Sequence, residues 1–433
     1  MTHPQPASNS SSSTRREFLK TGSAALAAGA LATSSQIAHG AYADGSDFLK
    51  VGLIGCGGRG NGAAAQALNA DPYTKLAALG DAFEDQVDKA AKLFATSHAD
   101  RGSVPKERRF HGIDAYKHVV EASDVVLLAT PPHFRPAHLK AAIEAGKHVF
   151  CEKPVAVDGP GCRSVAETVE LAKRKKLAIV SGLCWRYDPK IRATFEQVED
   201  GAIGKITAMR CSYNTGGLWT KPRKPGWSDL EWQIRNWLYF TWLSGDHIVE
   251  QHIHSLDKMV WAMNDARPVK CSGTGGRQVR TQKEYGNVYD HFAIEYEFAN
   301  GIKAFSRCRQ QNGCKTDVSD DLIGTVGNCH IANYQSRITG KNNWQFKGKK
   351  RNMYDVEHIE LFKSIRAGKP INNGDYMTTS TMMAIMGRIA AYTGKDVTWK
   401  QVWESKTKLG PDKYEWGKLE VEPVAMPGIT KEA

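Results

Sequence analysis

A lysine and a histidine about one hundred positions apart have the side chains for proton transfer. Lys153 lies in the turn 152–154 (EKP), and His254 lies in the stretch 245–257 (GDHIVEQHIHSLD). If this stretch is helical, Glu250 lies one turn before His254 on the same face. A neutral imidazole held by a carboxylate can remove a hydroxyl proton while hydride leaves the same carbon, and a lysine can assist by binding oxygen. His254 and Glu250 are therefore candidate catalytic residues. Lys153 is a third candidate, although the EKP turn taken alone is more typical of a turn with surface charges.

A glycine-rich turn near the start of the chain has the form of a dinucleotide-binding site. The sequence GCGGRG at 55–60 directly follows the apolar run 51–54, and Asp81 stands about twenty residues later, the spacing of this fingerprint. The glycines permit a tight turn and a close approach to pyrophosphate, and the acidic residue accepts hydrogen bonds from a ribose. The cofactor contacts predicted from this motif are Gly55, Gly57, Gly58, Arg59, Gly60 and Asp81.

The residues around Asp81 favour NAD over NADP. The carboxylate would repel a 2′-phosphate, and the next two residues, Ala82 and Phe83, offer no cation for it. Arg59 lies in the glycine turn itself and leaves NADP open. The prediction is therefore NAD, tightly bound, with NADP not excluded.

Strands and helices alternate around these residues. Such alternation predicts a parallel sheet covered on both faces, with ligands at the carboxyl ends of the strands. The predicted strands are 50–54, 75–79, 125–129 and 148–151, and the predicted helices are 61–69, 84–95 and 137–145.

The run 141–154 (AAIEAGKHVFCEKP) resembles the glucose–fructose oxidoreductase, inositol dehydrogenase and rhizopine-catabolism (GFO/IDH/MocA) family. The resemblance continues through Thr130-Pro131 and 201–206 (GAIGKI) into the second half of the chain. It implies that Lys153 is catalytic. It also implies an α/β fold in which an N-terminal Rossmann domain precedes an α/β domain with a large, mostly antiparallel open sheet. The cofactor contacts at the other strand ends are then Thr130, Pro131, Glu152 and Lys153.

The resemblance implies two domains after a leader. We predict a Rossmann domain over 46–180 and a substrate-binding and oligomerisation domain over 181–433, with a late helix, 378–392, packing back on the Rossmann domain. The second domain supplies Arg186 and Asp257 as predicted substrate-binding residues, although a structural ion pair explains Arg186 equally well. A homo-oligomer is expected.

The chain departs from the family pattern at two places. Glu250 stands where the family usually has aspartate. Pro132 and Arg135 stand where it often has asparagine and histidine, so cofactor-side contacts and substrate access are expected to differ.

An aromatic-rich stretch lies between Lys153 and His254. Its rings suit stacking on the C–H faces of a sugar, and they suit a hydrophobic core or an oligomer interface equally well. The rings are Trp219, Trp227, Trp232, Trp237, Tyr239 and Trp242.

A metal site is the competing interpretation of the histidines. His247, His252 and His254, with Asp246, supply enough ligands for zinc. On a helix, however, His252 and His254 point about 200° apart. We therefore predict no metal.

The first 43 residues resemble a twin-arginine signal peptide. Arg15-Arg16 precedes the mild apolar stretch 24–32, and Ala41-Tyr42-Ala43 has the small-x-small pattern of a cleavage site. We expect export to the periplasm by the twin-arginine translocase, which carries folded proteins, so NAD would have to be loaded first. No run reaches the ~20 apolar residues of a spanning helix, so a mature form without a membrane span is expected.

Composition is that of a globular enzyme. The chain is 41% hydrophobic and 24% charged, and its net charge of +12 is scattered rather than gathered into a nucleic-acid-binding stripe. The nine cysteines include no Cys-x-x-Cys pair and are expected to be mostly buried thiols.

These observations predict an exported NAD(P)-dependent oxidoreductase that acts on CH–OH groups of a sugar, a sugar derivative or a cyclitol. The alternative is a redox-neutral NAD-dependent glycosidase with a retained cofactor. A sugar-binding protein with a vestigial cofactor site is a third possibility, against which the complete set of motif residues argues.

Overall fold

Six parallel strands form the first sheet of the protein. The computed structural model describes residues 47–332 and 335–431, and the predicted leader over 1–43 lies outside the described residues. The strands are β1 (Leu49–Ile54), β2 (Thr74–Asp81), β3 (Arg109–His111), β4 (Val125–Leu128), β5 (His148–Cys151) and β6 (Ile179–Ser181). Their order across the sheet is β3-β2-β1-β4-β5-β6. Successive strands are thus added on one side of β1 up to β3 and on its other side from β4 onward. Ligands bind at such a switch point, beyond the carboxyl ends of the strands.

Helices cover both faces of this sheet. They are α1 (Gly58–Ala70), α2 (Glu84–Ser97), α3 (Ala115–Glu121), α4 (Arg135–Glu144) and α5 (Gly159–Lys175). With both faces covered, a strand such as β4 is apolar at every position and fully buried. The sixth strand ends at Ser181, so the predicted domain boundary at 180 falls inside it.

Nine strands form the second sheet. They are β7 (Ile206–Thr215), β8 (Pro268–Gly276), β9 (His291–Phe298), β10 (Lys303–Gln310), β11 (Asp317–Gly324), β12 (Gly327–Ala332), β13 (Ser336–Gly340), β14 (Trp344–Gln345) and β15 (Val397–Thr398). Their order is β14-β13-β12-β11-β7-β10-β9-β8-β15. Only the β7–β10 pair of these described strands is parallel. The predicted fold class, a Rossmann domain followed by a mostly antiparallel sheet domain, is confirmed.

The helices of the second half pack on one face of this sheet and on the Rossmann domain. They are α6 (Pro189–Glu199), α7 (Asp229–Arg235), α8 (Thr241–Ser244), α9 (His247–Glu250), α10 (Ile253–Ala262), α11 (Met353–Arg366), α12 (Gly374–Thr393) and α13 (Trp399–Glu404). The late helix α12 packs against β8, α10 and α5, and so joins the two sheets.

Two further features of the described chain bear on its predicted environment. Among the described residues, no helix is long and apolar enough to cross a membrane. All nine cysteines lie in the described part and are free thiols, eight of them buried and Cys314 exposed.

Candidate active site

The glycine turn between β1 and α1 is shaped by contacts that a side chain would prevent. Gly55 has φ +97°, and a Cβ there would lie 2.6 Å from the backbone carbon of Ala129. A Cβ on Gly60 would lie 1.8 Å from the carbonyl oxygen of Gly55. At Gly57 and Gly58 a Cβ would meet open space. The turn therefore leaves a cradle in front of the amino end of α1, where free N–H groups favour a phosphate.

Asp81 closes one side of this cradle at the end of β2. Its Oδ2 accepts a hydrogen bond from the Cys56 N–H at 2.7 Å, and its Oδ1 accepts one from the Phe83 N–H at 3.0 Å. Burial raises the pKa of Asp81 to about 6, although these two donors oppose the shift. The carboxylate is thus fixed to the turn and ionised at neutral pH.

The Arg59 side chain, in the glycine turn, is held by partners within the protein. Its guanidinium donates to Glu152, to Gln66 at 2.9 Å and to Glu357 at 3.2 Å, and it stacks on the Tyr354 ring at 4.8 Å. Burial raises the pKa of Glu152, but the charges of Arg59 and Lys153 outweigh this and leave the pKa lowered. Arg59 therefore joins α1, the end of β5 and α11, and two carboxylates neutralise its charge.

A cavity of about 890 Å³ extends from the cradle, which is the size range of small-ligand sites. Eight of the ten predicted cofactor residues line it: Gly55, Gly57, Gly58, Arg59, Gly60, Asp81, Thr130 and Pro131. Among the described residues, Glu152 and Lys153 are not part of that lining. The open glycine cradle, the fixed carboxylate and the cavity volume all fit an NAD dinucleotide.

Lys153 reaches from the end of β5 to the second domain. Its Nζ donates to Glu250 Oε1 at 2.9 Å and to the Glu250 carbonyl oxygen. The Gln251 amide donates to the other oxygen of Glu250, and Gln251 Oε1 accepts from Gln310 Nε2 at 3.1 Å. The Lys153 and Glu250 side chains are only 13% and 12% exposed, so solvent screens this pair weakly.

The stretch through Glu250 and His254 is not one continuous helix, so the condition under which these two side chains would share a face is not met. The backbone N–H of His252 bonds to the His247 carbonyl, five residues back, so α9 ends at Glu250 and α10 begins at Ile253. One extra residue in this turn rotates His254 off the face of Glu250. The Glu250 carboxylate consequently holds Lys153 rather than the imidazole.

His254 is a half-buried imidazole at the start of α10. Its Nδ1 is buried without a hydrogen-bond partner among the described residues, and its ring centre lies 5.5 Å from that of Trp185. Burial lowers the pKa of His254 well below its usual value, and the positive charges of Lys153 and Lys258 lower it further. The ring is therefore neutral at physiological pH, the form that can accept a proton.

Two residues beside His254 were not among those predicted from the sequence. Lys258 is buried one turn further along α10, with its Nζ 3.4 Å from the Trp185 ring centre, and it pairs with Asp320 of β11. Burial lowers the pKa of Lys258 and raises that of Asp320. Helical spacing from His254 could have revealed Lys258, but no local signal connects it with Asp320 across 62 positions.

Comparison with known proteins agrees with this geometry. Residues 49–182 match the oxidoreductase family with an NAD-binding Rossmann fold (GFO/IDH/MocA), and residues 191–330 match the GFO/IDH/MocA C-terminal domain. The chain belongs to the GFO/IDH/MocA family. This membership confirms the predicted family, the NAD cofactor and the enzyme class, an NAD-dependent oxidoreductase.

Relatives of this family cover most of the chain. A levoglucosan dehydrogenase of Pseudarthrobacter phenanthrenivorans is 25% identical over 315 residues, which are 67% of this chain and 74% of the relative. An inositol 2-dehydrogenase of Pseudomonas fluorescens is 27% identical over 335 residues, 74% of this chain and 87% of the relative. A solved levoglucosan dehydrogenase, in complex with NADH and levoglucosan, has a TM-score of 0.64 at 18% identity, covering 82% of this chain and 100% of that chain. This last likeness shows the shared fold.

The predicted substrate-binding role of Arg186 and Asp257 needs correction. Arg186 donates from both Nε and a terminal nitrogen to the Asp257 carboxylate, at 2.9–3.0 Å, and also to Asp265 at 2.7 Å. Asp257 is 1% exposed and additionally accepts from the Ser380 hydroxyl at 2.8 Å. Because each charge is neutralised and buried, the pair joins α10 to the segment before α6 instead of facing a substrate.

The other histidines have separate partners. His247 Nδ1 lies 3.1 Å from Asp246 Oδ1, and His252 Nε2 lies 2.7 Å from the Ser306 hydroxyl. The described residues contain no group of three or more His, Cys, Asp or Glu side chains that could hold a metal ion.

Arg135, where GFO/IDH/MocA proteins often have histidine, ties two loops of the site together. It is buried, and it donates to the Thr130 carbonyl at 2.6 Å and to the Pro154 carbonyl. It thus fixes the turn after β4 to the turn that carries Lys153. The departure from the family pattern is a structural link between cofactor side and catalytic side.

The aromatic stretch is divided between a cavity wall and a hydrophobic core. Trp219, Trp227 and Trp237 line the cofactor cavity. Trp232 and Trp242 pack in a core with Phe134 of the Rossmann domain.

Proposed function

We propose that the protein is an exported dehydrogenase that transfers hydride between NAD and a carbinol carbon of a sugar, a sugar derivative or a cyclitol. The observation that carries the proposal is that Lys153, at the end of a Rossmann strand, reaches Glu250 of the second domain at 2.9 Å and lies near enough to His254 for its charge to lower the pKa of that imidazole. Levoglucosan and inositol dehydrogenases among the relatives support this substrate class.

The described side chains divide the work of proton transfer. His254 is neutral and only partly buried as a residue, so its imidazole can take the hydroxyl proton of the substrate. Lys153 can donate a hydrogen bond to the same oxygen, and Glu250 holds its ammonium group in place. NAD, when bound, supplies the hydride acceptor.

Residues around His254 would position a polyol. Trp185 lies against the imidazole, and Tyr213 lies 6.5 Å from Trp185 between ring centres. Burial, with the nearby charge of Glu250, raises the pKa of Tyr213 to about 12. Its hydroxyl therefore stays protonated and can donate a hydrogen bond.

A panel of polyols tests the proposal. Purified protein is incubated with NAD and with cyclitols, aldoses and anhydrosugars while the nicotinamide absorbance is followed. We expect NADH to form with at least one cyclic polyol. Bound cofactor without reduction by any member of the panel would contradict the proposal.

Export has its own test. We propose that the protein leaves the cytoplasm folded and with NAD bound, because a twin-arginine motif precedes a complete cofactor turn. Replacing Arg15-Arg16 by Lys-Lys should leave cofactor-loaded protein in the cytoplasm. Unchanged distribution between cell fractions would contradict the assignment of the leader.

A homo-oligomer is the proposed assembly. Phe305 of β10 and Ile323 of β11 are 48% and 42% exposed. Phe305 pairs with Arg210 of β7 and Ile323 pairs with Ala208. These two partners are two positions apart, so both exposed side chains lie on the same face of the sheet. Exposed apolar side chains on a sheet face favour burial against another copy. The double variant Phe305→Glu, Ile323→Glu should lower the mass measured by light scattering, and an unchanged mass would exclude this face.

A redox-neutral glycosidase is the second candidate function. It is favoured by the second-domain side chains that wall the cofactor cavity, because an enzyme that regenerates its cofactor in each cycle can keep it enclosed. Release of the aryl group from aryl glycosides without net NADH formation would support this candidate over the first.

A further inference from the structure

The cofactor cavity has a wall that belongs to the second domain. Asp81 and Phe83 mark its adenosine end, since the acidic residue after the second Rossmann strand takes the ribose. Opposite them lie side chains from one segment between β7 and α8: Trp219, Lys221, Pro222, Lys224, Trp227, Ile234, Arg235 and Trp237.

Arg235 joins this wall to the Rossmann domain. Its guanidinium carbon lies 3.7 Å from the Phe83 ring centre and 4.9 Å from that of Trp227. One terminal nitrogen donates to Asp85 of α2 at 2.9 Å. A cation that is stacked between two rings and paired with a carboxylate holds the two domains together through directional contacts.

The tail of the chain fastens the same segment from outside. The ring of Trp416 packs on Phe83, with centres 5.8 Å apart. The Gly417 carbonyl accepts from the Asp229 N–H at 3.1 Å, and Gln233 donates to the Leu419 carbonyl at 2.8 Å. Two separate stretches of chain therefore meet over Phe83.

We propose that residues 219–237 together with residues 416–419, here named the clasp, form a gate over the adenosine end of NAD. The clasp must detach from Phe83 and Asp85 before the dinucleotide can enter or leave. The inference rests on the proposed function only through NAD, and it is independent of the substrate. Three indoles that resemble a sugar platform in the sequence thus belong to cofactor retention.

A gate and a simple ligand contact have different kinetic signatures. Opening a gate more often raises the rate constants of both association and dissociation, because both pass through the open state. Loss of a direct contact raises only the dissociation rate constant. Measuring both rate constants therefore distinguishes the clasp from an ordinary wall of the site.

The experiment uses the full chain and stopped-flow fluorescence of NADH, with no substrate present. Three variants weaken the clasp at different points: Arg235→Leu, Asp85→Asn and Trp416→Ala. The matched control is Arg192→Leu, since Arg192 also stacks on a ring, Tyr187 at 4.7 Å, and pairs with a carboxylate, Glu360 at 2.6 Å, but lies elsewhere.

We expect Arg235→Leu to raise both rate constants on the order of tenfold, as loss of a stacked, ion-paired cation implies. Trp416→Ala should act in the same direction, and Asp85→Asn by about threefold because its side chain is partly exposed. The control should match the wild type. Asp85→Asn alters a surface side chain, so it remains informative if Arg235→Leu does not fold.

Two results would overturn the clasp. Unchanged rate constants in all three variants would show that the segment does not limit exchange. A rise in the dissociation rate constant alone would make Arg235 a direct cofactor contact. Failure of NADH to bind the wild type would instead contradict the proposed function.

Discussion

The cofactor groove, which is the glycine cradle together with Asp81, and the proton-transfer cluster, which is Lys153, Glu250 and His254, are built in opposite ways. The groove consists of backbone, and its two outer glycines, Gly55 and Gly60, are required because a Cβ on Gly60 would lie 1.8 Å from the Gly55 carbonyl oxygen. The cluster consists of side chains from distant segments, and Lys153 meets Glu250 across 97 positions. A site made of backbone can be predicted from a short sequence motif, whereas a site made of distant side chains depends on how the two domains pack together.

The largest expected effect is on the cluster alone. Lys153→Met and His254→Ala should each lower kcat by ~10²–10⁴-fold, the usual contribution of a general acid–base group. NAD binding should persist, because neither side chain is needed for the glycine cradle. Steady-state kinetics and NADH titration measure the two properties separately. His118→Ala, an exposed histidine on α3, is the control, and losses below about tenfold in both variants would remove their catalytic roles.

The second prediction separates structure from substrate binding within the second domain. Arg186→Leu leaves Asp257 buried and unpaired, so it should destabilise the fold by about 3–5 kcal/mol. KM of the folded variant should stay close to the wild-type value. Urea unfolding and substrate kinetics check the two parts. A raised KM with unchanged stability would restore the substrate-binding role that we have replaced.

The third prediction concerns Asp81, the side chain that closes one side of the groove. Asp81→Ala should weaken NAD binding by ~1.5–3 kcal/mol, the range for hydrogen bonds to a charged group, while kcat at saturating NAD stays the same. Calorimetric titration gives the affinity. Asp124→Ala is the matched control, since Asp124 also accepts a backbone hydrogen bond, from Lys50 at 2.8 Å, but lies at the opposite end of β1. Equal losses in both variants would mean that Asp81 acts through folding.

The smallest effect is a pH dependence of the groove. Because the pKa of Asp81 is raised to about 6, its carboxyl is protonated below that pH and loses acceptor capacity for ribose hydroxyls. NAD affinity should therefore be nearly constant above about pH 7, begin to fall around pH 6, and fall by up to about tenfold per pH unit well below it. Titrations between about pH 5 and pH 8 measure this. The slope should vanish in Asp81→Asn, and a slope that persists there belongs to another group.

What the sequence could predict follows the same division. The strands of the first sheet were placed within about two residues where apolar runs are continuous, as at β4 and β5. The short strands β3 and β6 were missed because three residues each are too few to carry a periodic signal. The residues of the groove were found because each follows a strand end.

The residues of the cluster were predicted from the sequence, but the contacts between them were not. Lys153, Glu250 and His254 do converge, yet the five-residue turn at His252 that separates Glu250 from His254 has no marker in residue type. Arg186 and Asp257 carry charges suited to a substrate, and only their mutual burial shows that they satisfy each other. The role of Arg235 depends on a contact between α7 and Phe83, 152 positions apart.

Transfer of deuterium from substrate to nucleotide tests the central claim most directly. The wild type is incubated with NAD and with cyclic polyols deuterated at each carbinol carbon, and the nucleotide is recovered and analysed by mass spectrometry. We predict that NADH carrying one deuterium forms with at least one sugar or cyclitol, and that its initial rate of formation in Lys153→Met is ~10²–10⁴-fold lower although NAD is bound. Bound NAD that acquires no label from any polyol, or label that appears equally in Lys153→Met, would contradict the account.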